Sequence, residues 1–256
     1  MMTSIPRNVP PLAVALAILL LPVEAGADQQ PGPSSSTGQQ KSPATPVAAP
    51  VYKPPVRGAP GGRVGGGTRS LRLSGMDQTF TLSVLAPNHT GLTAQEQPVL
   101  YWYLSKPITT AVVFNLSDDG ANPVAEQVLN PPFQAGIQRL RLADFGVRLE
   151  AGKQYRWFVA VVPDPKRRSK DILAGATIER TELAEAAAGG LAQSTRVEAS
   201  KLYAEEGYWY DALSAVSEEI DANPDNGAFR SYRAALLRQI GLNEVAEQDE
   251  NLAGGK

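Results

Sequence analysis

The chain of 256 residues has no cysteine and only one histidine, and both absences limit its chemistry. Without cysteine it forms no disulfide bond and carries no lipid at a processed N-terminal cysteine. The usual zinc sites combine histidine with cysteine, so we interpret His89 as a solvent-facing loop residue. The sequence therefore predicts no metal and no other cofactor.

Long apolar runs are also scarce. The run at residues 12–21 would rise about 15 Å as a helix, half of a bilayer core of about 30 Å. Arg7 precedes it and the small residues 25–27 follow, a pattern typical of a signal peptide at residues 1–27. We expect export with cleavage after Ala27, no transmembrane segment in the mature chain, and a location in the periplasm or outside a bacterial cell. An exported protein without disulfides is held by packing alone, which suits these locations better than a eukaryotic secretory route.

Residues 28–66 contain eight prolines and seven glycines in 39 positions, which predicts a disordered linker. Beyond it the charge is uneven. Residues 67–178 carry 12 basic and 9 acidic groups, whereas residues 179–256 carry 7 basic and 15 acidic groups, a net charge of −8. The acidic part is unsuited to phosphate contacts, so we expect no nucleic-acid partner.

The region 67–180 is predicted to be a β-sandwich domain. About seven short segments have the alternation or the apolar content of strands, and turn residues separate them. They lie at residues 79–84, 99–105, 110–116, 124–129, 137–142, 155–162 and 175–180. This number and spacing favour an immunoglobulin-like sandwich, and with the helices that follow the class is α+β, mainly β.

The segment LEAGKQYRW at residues 149–157 resembles the tyrosine corner of immunoglobulin-like domains. The resemblance implies that the Tyr155 hydroxyl bonds to backbone across the corner. We expect Trp157 and Trp102 in the core, with a sugar-binding surface as the alternative for either tryptophan.

Residues 181–256 are predicted to be helical. From Trp209 the apolar positions follow one helix face, and residues 203, 207 and 212 have counterparts 34 positions later. This period is similar to that of tetratricopeptide repeats. It predicts Gly207 at the turn and Trp209 buried where two helices meet. Because about one and a half repeats do not fold alone, the unit must pack on the sandwich or form a homodimer.

Two kinds of binding residue are predicted on these helices. The resemblance to tetratricopeptide repeats places contacts of the concave surface at four positions: Lys201, Glu205, Arg238 and Gln239. Tyr208 and Tyr210 flank the buried Trp209, and we expect them either to pad the sandwich or the next helix pair, or to contact a ligand.

Five motifs together resemble one bacterial family, the domain of unknown function numbered 928, which is best represented in cyanobacteria. In chain order they are RGAPGGRVGGGTR (57–69), GLTAQEQPVLYWYL (91–104), LEAGKQYRW (149–157), RRSKD (167–171) and YAEEGYWYDAL (203–213). The resemblance covers about residues 57–250 and implies an exported architecture without an assigned activity.

Catalytic constellations are sparse, since the paired acids are adjacent in sequence and diverge on a strand or a helix. We therefore expect a non-enzymatic interaction protein of the bacterial envelope, whose partner is another exported protein. The alternative is a carbohydrate-binding or cell-wall-binding protein, with a hydrolytic form if two carboxylates converge in a cleft.

Overall fold

The computed structural model describes residues 49–55, 61–65, 67–73 and 76–254. The predicted signal peptide at residues 1–27 lies outside the described residues, as do residues 28–48, 56–60 and 66 of the predicted linker. Sheets come first and helices follow, so the α+β class predicted from the sequence is confirmed.

The described residues contain ten strands and five α-helices. The strands are β1 (Val64–Gly65), β2 (Gly67–Leu73), β3 (Met76–Val84), β4 (Gly91–Thr93), β5 (Val99–Leu104), β6 (Val112–Asp118), β7 (Pro123–Leu129), β8 (Gly136–Arg141), β9 (Gln154–Val161) and β10 (Ile172–Arg180). The helices are α1 (Glu185–Leu191), α2 (Arg196–Glu205), α3 (Trp209–Ala222), α4 (Gly227–Gln239) and α5 (Asn243–Gly254).

The strands form two sheets. The larger one has the order β1-β10-β9-β6-β7, and β4 adds to it by pairing parallel with β10. The smaller one has the order β2-β3-β5-β8. The other strand pairs are antiparallel. Buried side chains from both sheets belong to one hydrophobic cluster, so the sheets share a core.

Strand β5 explains why the apolar run at residues 99–104 does not alternate with polar residues. Trp102 contributes to the core and is 1% exposed, whereas Tyr101 and Tyr103 line a cleft together with helix residues. Both faces of this strand are therefore buried, one in the core and the other against the helices, and a strand buried on both faces reads as a continuous apolar run.

The helices pack in consecutive pairs, α2 with α3, α3 with α4, and α4 with α5. α2 begins with a capping box between Thr195 and Glu198. Gly207 joins α2 to α3 with φ +84°, and Gly241 joins α4 to α5 with φ +76°. Residues with a side chain rarely adopt this left-handed backbone conformation, whereas glycine adopts it readily. The two glycines make the same turn at positions 34 residues apart.

The helices pack on the sheets within the same chain. α3 contacts β4 and β5, and α5 contacts β8. The indole N–H of the fully buried Trp209 donates to the carbonyl of Leu85, at 2.8 Å, in the loop after β3. The sequence allowed two ways of stabilising the helices, packing on the sandwich or dimer formation. In the structure the helices pack on the sheets of the same chain.

Residues 49–55 and 61–65 lie within the predicted linker, and some of them contact the rest of the chain. Residues 49–55 lie against the helices, with Tyr52 only 7% exposed. β1 follows at Val64–Gly65 and pairs with β10. The proline and glycine content averaged over 39 positions gave no signal of this one buried tyrosine.

Candidate functional site

The candidate site lies where residues 49–55, which we call the strap, cross the C-terminal ends of α2 and α4. The side-chain amide of Gln239 makes two bonds to the strap backbone. Its Oε1 accepts from the N–H of Tyr52 at 2.8 Å, and its Nε2 donates to the carbonyl of Pro50 at 2.9 Å. The N–H of Lys53 donates to the carbonyl of Ala204 at 3.0 Å. The helices thus hold the strap mainly through its backbone.

Alternate strap side chains point toward the protein. Pro50 and Tyr52 are buried, whereas Val51 is 54% exposed and Lys53 is exposed. This period of two is the mark of an extended segment that places every second side chain in a pocket. The site therefore contacts a proline and a tyrosine separated by one residue.

The pocket for the Tyr52 ring is aromatic. Trp209 meets the ring edge to face, with centroids 5.1 Å apart, and His89 stacks on it at 6.0 Å. The Tyr52 hydroxyl lies 3.3 Å from His89 Nε2. His89 Nδ1 lies 2.9 Å from the carbonyl of Thr90 and so carries the hydrogen, which leaves Nε2 as an acceptor for the tyrosine. Burial raises the pKa of Tyr52 above its ordinary value.

The sequence predicts that His89 faces solvent, and this prediction is wrong. His89 is half-buried and forms one wall of the tyrosine pocket. The polar loop around it gave no signal of this contact, because the residue that covers it lies 37 positions earlier.

Gly207 allows the strap to come close to the turn between α2 and α3. A Cβ at this position would lie 3.0 Å from the carbonyl oxygen of Lys53 and 3.4 Å from the ring of Pro55. At Gly241, the matching turn, a Cβ would meet nothing within 4 Å. Gly207 is the turn residue that the sequence predicts, and it has this second role at the strap.

Of the four residues predicted on a concave helical surface, Gln239 contacts the strap. Lys201 and Glu205 form an ion pair along α2, at 3.9 Å. Arg238 pairs with Glu250 of α5. Three of the four side chains thus form ion pairs within the helices, and Glu205 directly follows Ala204, whose carbonyl binds the strap.

Tyr208 and Tyr210 are both buried, as expected for the packing role that the sequence predicts for them. Tyr210 is 1% exposed, accepts a hydrogen bond from the indole of Trp157 at 2.9 Å and donates to the carbonyl of Thr177. Tyr208 is 8% exposed and donates to the carbonyl of Glu182 at 2.8 Å. Both tyrosines pad the junction of sheets and helices.

The predicted structural residues lie in the interior. The hydroxyl of Tyr155 accepts from the backbone N–H of Glu150 at 3.1 Å, the bond expected of a tyrosine corner. Trp157 and Trp102 are both buried, and Trp102 meets Phe133 edge to face at 5.6 Å. Neither tryptophan is exposed for sugar binding.

The sequence analysis assigned no role to Asp211, which lies in the first turn of α3. It is 4% exposed, and its carboxylate accepts from the N–H of Ala94 at 2.8 Å and from the hydroxyl of Thr93 at 3.1 Å. Burial raises the pKa of Asp211 to about 7, although both hydrogen bonds favour the charged form. The residue joins α3 to the end of β4, and an acid inside an apolar stretch was the signal for it in the sequence.

A second cleft, with a volume of 430 Å³, lies between the smaller sheet and helices α3 to α5. Its floor holds Arg233, which donates to Asp249 at 2.7 and 2.8 Å and to Ser217 at 3.0 Å. At its rim Arg139 pairs with Asp221. Both aspartates of this cleft are therefore paired with arginines, and these pairs join neighbouring elements.

In the part of the chain that the structure describes, no group of three or more histidine, aspartate or glutamate side chains is arranged to hold a metal ion. No helix in the same part of the chain has the length and apolar character needed to cross a bilayer.

Comparison with known proteins identifies a family. A family model described as Domain of Unknown Function (DUF928) matches residues 64–250. No curated protein matches the chain. The crystal structure of a multi-domain immunophilin from Arabidopsis thaliana is similar at 7% identity, over 69% of this chain and 94% of that chain. Its TM-score of 0.16 is too low to support an argument about fold or function.

Proposed function

Because the chain belongs to the DUF928 family, whose description assigns no activity, we propose its function from the site itself. We propose that it is a non-catalytic interaction protein of the bacterial envelope, and that its helices bind another exported protein. One observation carries this proposal: the helices bind an extended segment, the strap, through its backbone and one aromatic side chain.

Backbone-directed binding of an extended segment is a common mode of peptide recognition. Main-chain hydrogen bonds supply affinity, and pockets for alternate side chains supply specificity. The site on α2 and α4 has both features, with three bonds to the strap backbone and a pocket for Tyr52. Catalysis is not needed to explain any of these groups.

The carbohydrate-binding alternative has less support. Sugar sites present exposed aromatic rings, but the tyrosines that line the 430 Å³ cleft, Tyr101 and Tyr103, are 4% and 1% exposed. Hydrolysis requires two free carboxylates, and both acids that line the cleft, Asp221 and Asp249, are paired with arginines.

Two finer assignments of fold accompany the proposal. We assign the two sheets to an immunoglobulin-like sandwich, supported by the bond between Tyr155 and the backbone of Glu150. We assign the helices to a tetratricopeptide-like arrangement, supported by the left-handed turns at Gly207 and Gly241. Export by residues 1–27 to the periplasm or the cell exterior remains part of the proposal.

Site-specific photocrosslinking in native cells tests the proposal. A photoreactive amino acid replaces Lys201, which is 53% exposed on α2, and in a matched control it replaces Leu173, which is 50% exposed on β10. We expect a discrete exported protein to be captured at position 201 and not at position 173, because the helices form the binding part.

Other capture results would contradict binding of a protein by the helices. Capture of glycan or cell-wall fragments without protein would favour the carbohydrate alternative. Equal capture at both positions, or capture of no protein at either, would reject binding by the helices.

A further inference from the structure

We propose that the strap occupies a recognition groove for partner proteins, and that the partner segment is extended and carries proline, any residue, then tyrosine. The strap is then a built-in competitor, which a partner must displace. The proposal deepens the function proposed above and rests on it. The groove is formed by Ala204, Gly207, Trp209 and Gln239 of the helical unit, and by His89.

The first support is how Gln239 reads the backbone. Its amide accepts from the N–H of Tyr52 and donates to the carbonyl of Pro50, the groups on either side of Val51. One residue of a neighbouring parallel strand makes this pair of bonds with its own N–H and C=O. The Gln239 side chain thus binds the strap as the edge of a strand would. Because the side chain at position 51 is 54% exposed, this binding depends on extended backbone and not on the residue type there.

The second support is the selectivity of the pocket. The Tyr52 ring contacts Trp209 and His89, and its hydroxyl has a partner in His89 Nε2. A smaller side chain would leave this space empty, and phenylalanine would leave the imidazole nitrogen unpaired. The pocket is therefore suited to tyrosine.

The third support is the division of groove and strap between the family domain and the rest of the chain. The family model begins at residue 64, and all five groove residues named above lie inside its match to residue 250. The strap at residues 49–55 lies before it. The groove therefore belongs to the family domain, and its occupant in this chain is attached from outside that domain.

Charge favours a basic residue after the tyrosine of the partner segment. The carbonyl that binds the Lys53 N–H belongs to Ala204, which directly precedes Glu205 and Glu206. Residues 179–256 have a net charge of −8. Lys53 has the complementary charge at this position of the strap.

A partner must overcome the tethered strap. Tethering by a short connection gives a local concentration on the order of mM. A segment that is held at this concentration should also bind as a free peptide below about 1 mM when the strap is weakened. The affinity for partners is lowered by the fraction of molecules whose groove is closed, so the strap sets a threshold for binding.

The test uses the full chain and a fluorescent peptide with the strap sequence APVYKPP, followed by fluorescence anisotropy. The Tyr52→Ala variant weakens the strap and leaves the groove residues intact. We expect it to bind the peptide at least tenfold more tightly than the unmodified chain does. A peptide with alanine in place of tyrosine should not bind, and adding Gln239→Ala to the Tyr52→Ala chain should lower affinity by at least tenfold.

Two results would overturn the proposed groove. Absence of binding to the Tyr52→Ala chain at about 1 mM peptide, with an unchanged circular dichroism spectrum, would overturn the groove. If this variant is misfolded, the unmodified chain is titrated with the same peptide and with its alanine form, and equal binding of the two would overturn it as well.

Two further outcomes separate this proposal from the one it rests on. Dimers of the unmodified chain that disappear in Tyr52→Ala, seen by light scattering, would make a second copy the occupant and overturn a heterologous partner. Crosslinking of a protein at position 201 without any peptide binding would leave the interaction function standing and remove the groove.

Discussion

The indole N–H of Trp157 donates a hydrogen bond to the phenolic oxygen of Tyr210, 2.9 Å away, and joins β9 of the larger sheet to α3. The two rings meet edge to face with centroids 6.4 Å apart. Tyr210 passes its own hydrogen to the carbonyl of Thr177 on β10, at 3.3 Å. Sheets and helices are thus connected by polar groups that are fully buried.

Tyr210→Phe should destabilise the protein. The substitution leaves the buried N–H of Trp157 and the carbonyl of Thr177 without this partner, which costs about 1–3 kcal/mol of unfolding free energy. Urea unfolding followed by tryptophan fluorescence measures it. A free energy equal to that of the unmodified chain would show that these bonds contribute nothing.

Asp211 should make stability fall as the pH rises from about 4 to about 7. Its pKa in the folded state is about 7, whereas an unfolded aspartate titrates near pH 4. The folded state therefore binds more protons in this window, and stability falls with rising pH by up to about 1.4 kcal/mol per pH unit.

Asp211→Asn isolates this contribution, because asparagine keeps an acceptor for Ala94 and has no proton to lose. The unfolding free energy of the variant minus that of the unmodified chain should increase from pH 4.5 to pH 7, because only the unmodified chain loses stability. Parallel pH profiles would refute the assignment.

Gly207→Ala and Gly241→Ala should differ in their effect on the strap. Both substitutions force alanine into a left-handed conformation, at a cost of about 1–2 kcal/mol. A Cβ at position 207 also meets Lys53, whereas one at position 241 meets nothing within 4 Å. Hydrogen exchange at Tyr52 and Lys53 should accelerate only in Gly207→Ala, and acceleration in both variants would show that the strap responds to general loss of stability.

Asp249→Ala should be severely destabilising. Asp249 is 3% exposed and pairs with Arg233 and Arg230, so its removal leaves a buried guanidinium without its anion. Breaking a buried pair in this way costs about 3–5 kcal/mol. Glu250→Ala removes the exposed partner of Arg238 and is the matched control, for which we expect no measurable change in urea unfolding. Equal effects of the two variants would contradict the prediction.

Most of the sheet was predictable because strand periodicity is local. Seven of the ten strands in the described residues, β3 and β5 to β10, lie where alternation or apolar runs predict them. β1 and β4 have two and three residues, too few to show a period. β2 alternates only at its end, and its pairing with β3 was not predicted.

The candidate site was predictable only in part. Gln239 was predicted as a binding residue and Gly207 as a turn residue, and both lie at the strap. Tyr52 was not predicted, because it stands alone among prolines and has no periodic neighbours. Its contacts lie 37 residues away at His89 and 187 residues away at Gln239, beyond the reach of any local pattern.

The sequence alone determined the family, the α+β class, the order of sheets and helices, and the burial of Trp209, because these follow from motifs and from the periods of strands and helices. Tertiary structure decided that the helices pack on the sheets, that Tyr208 and Tyr210 are interior, and that the strap covers Gln239 and His89. These features depend on contacts between residues far apart in the chain, and burial of a side chain is a property of such contacts and not of its own segment.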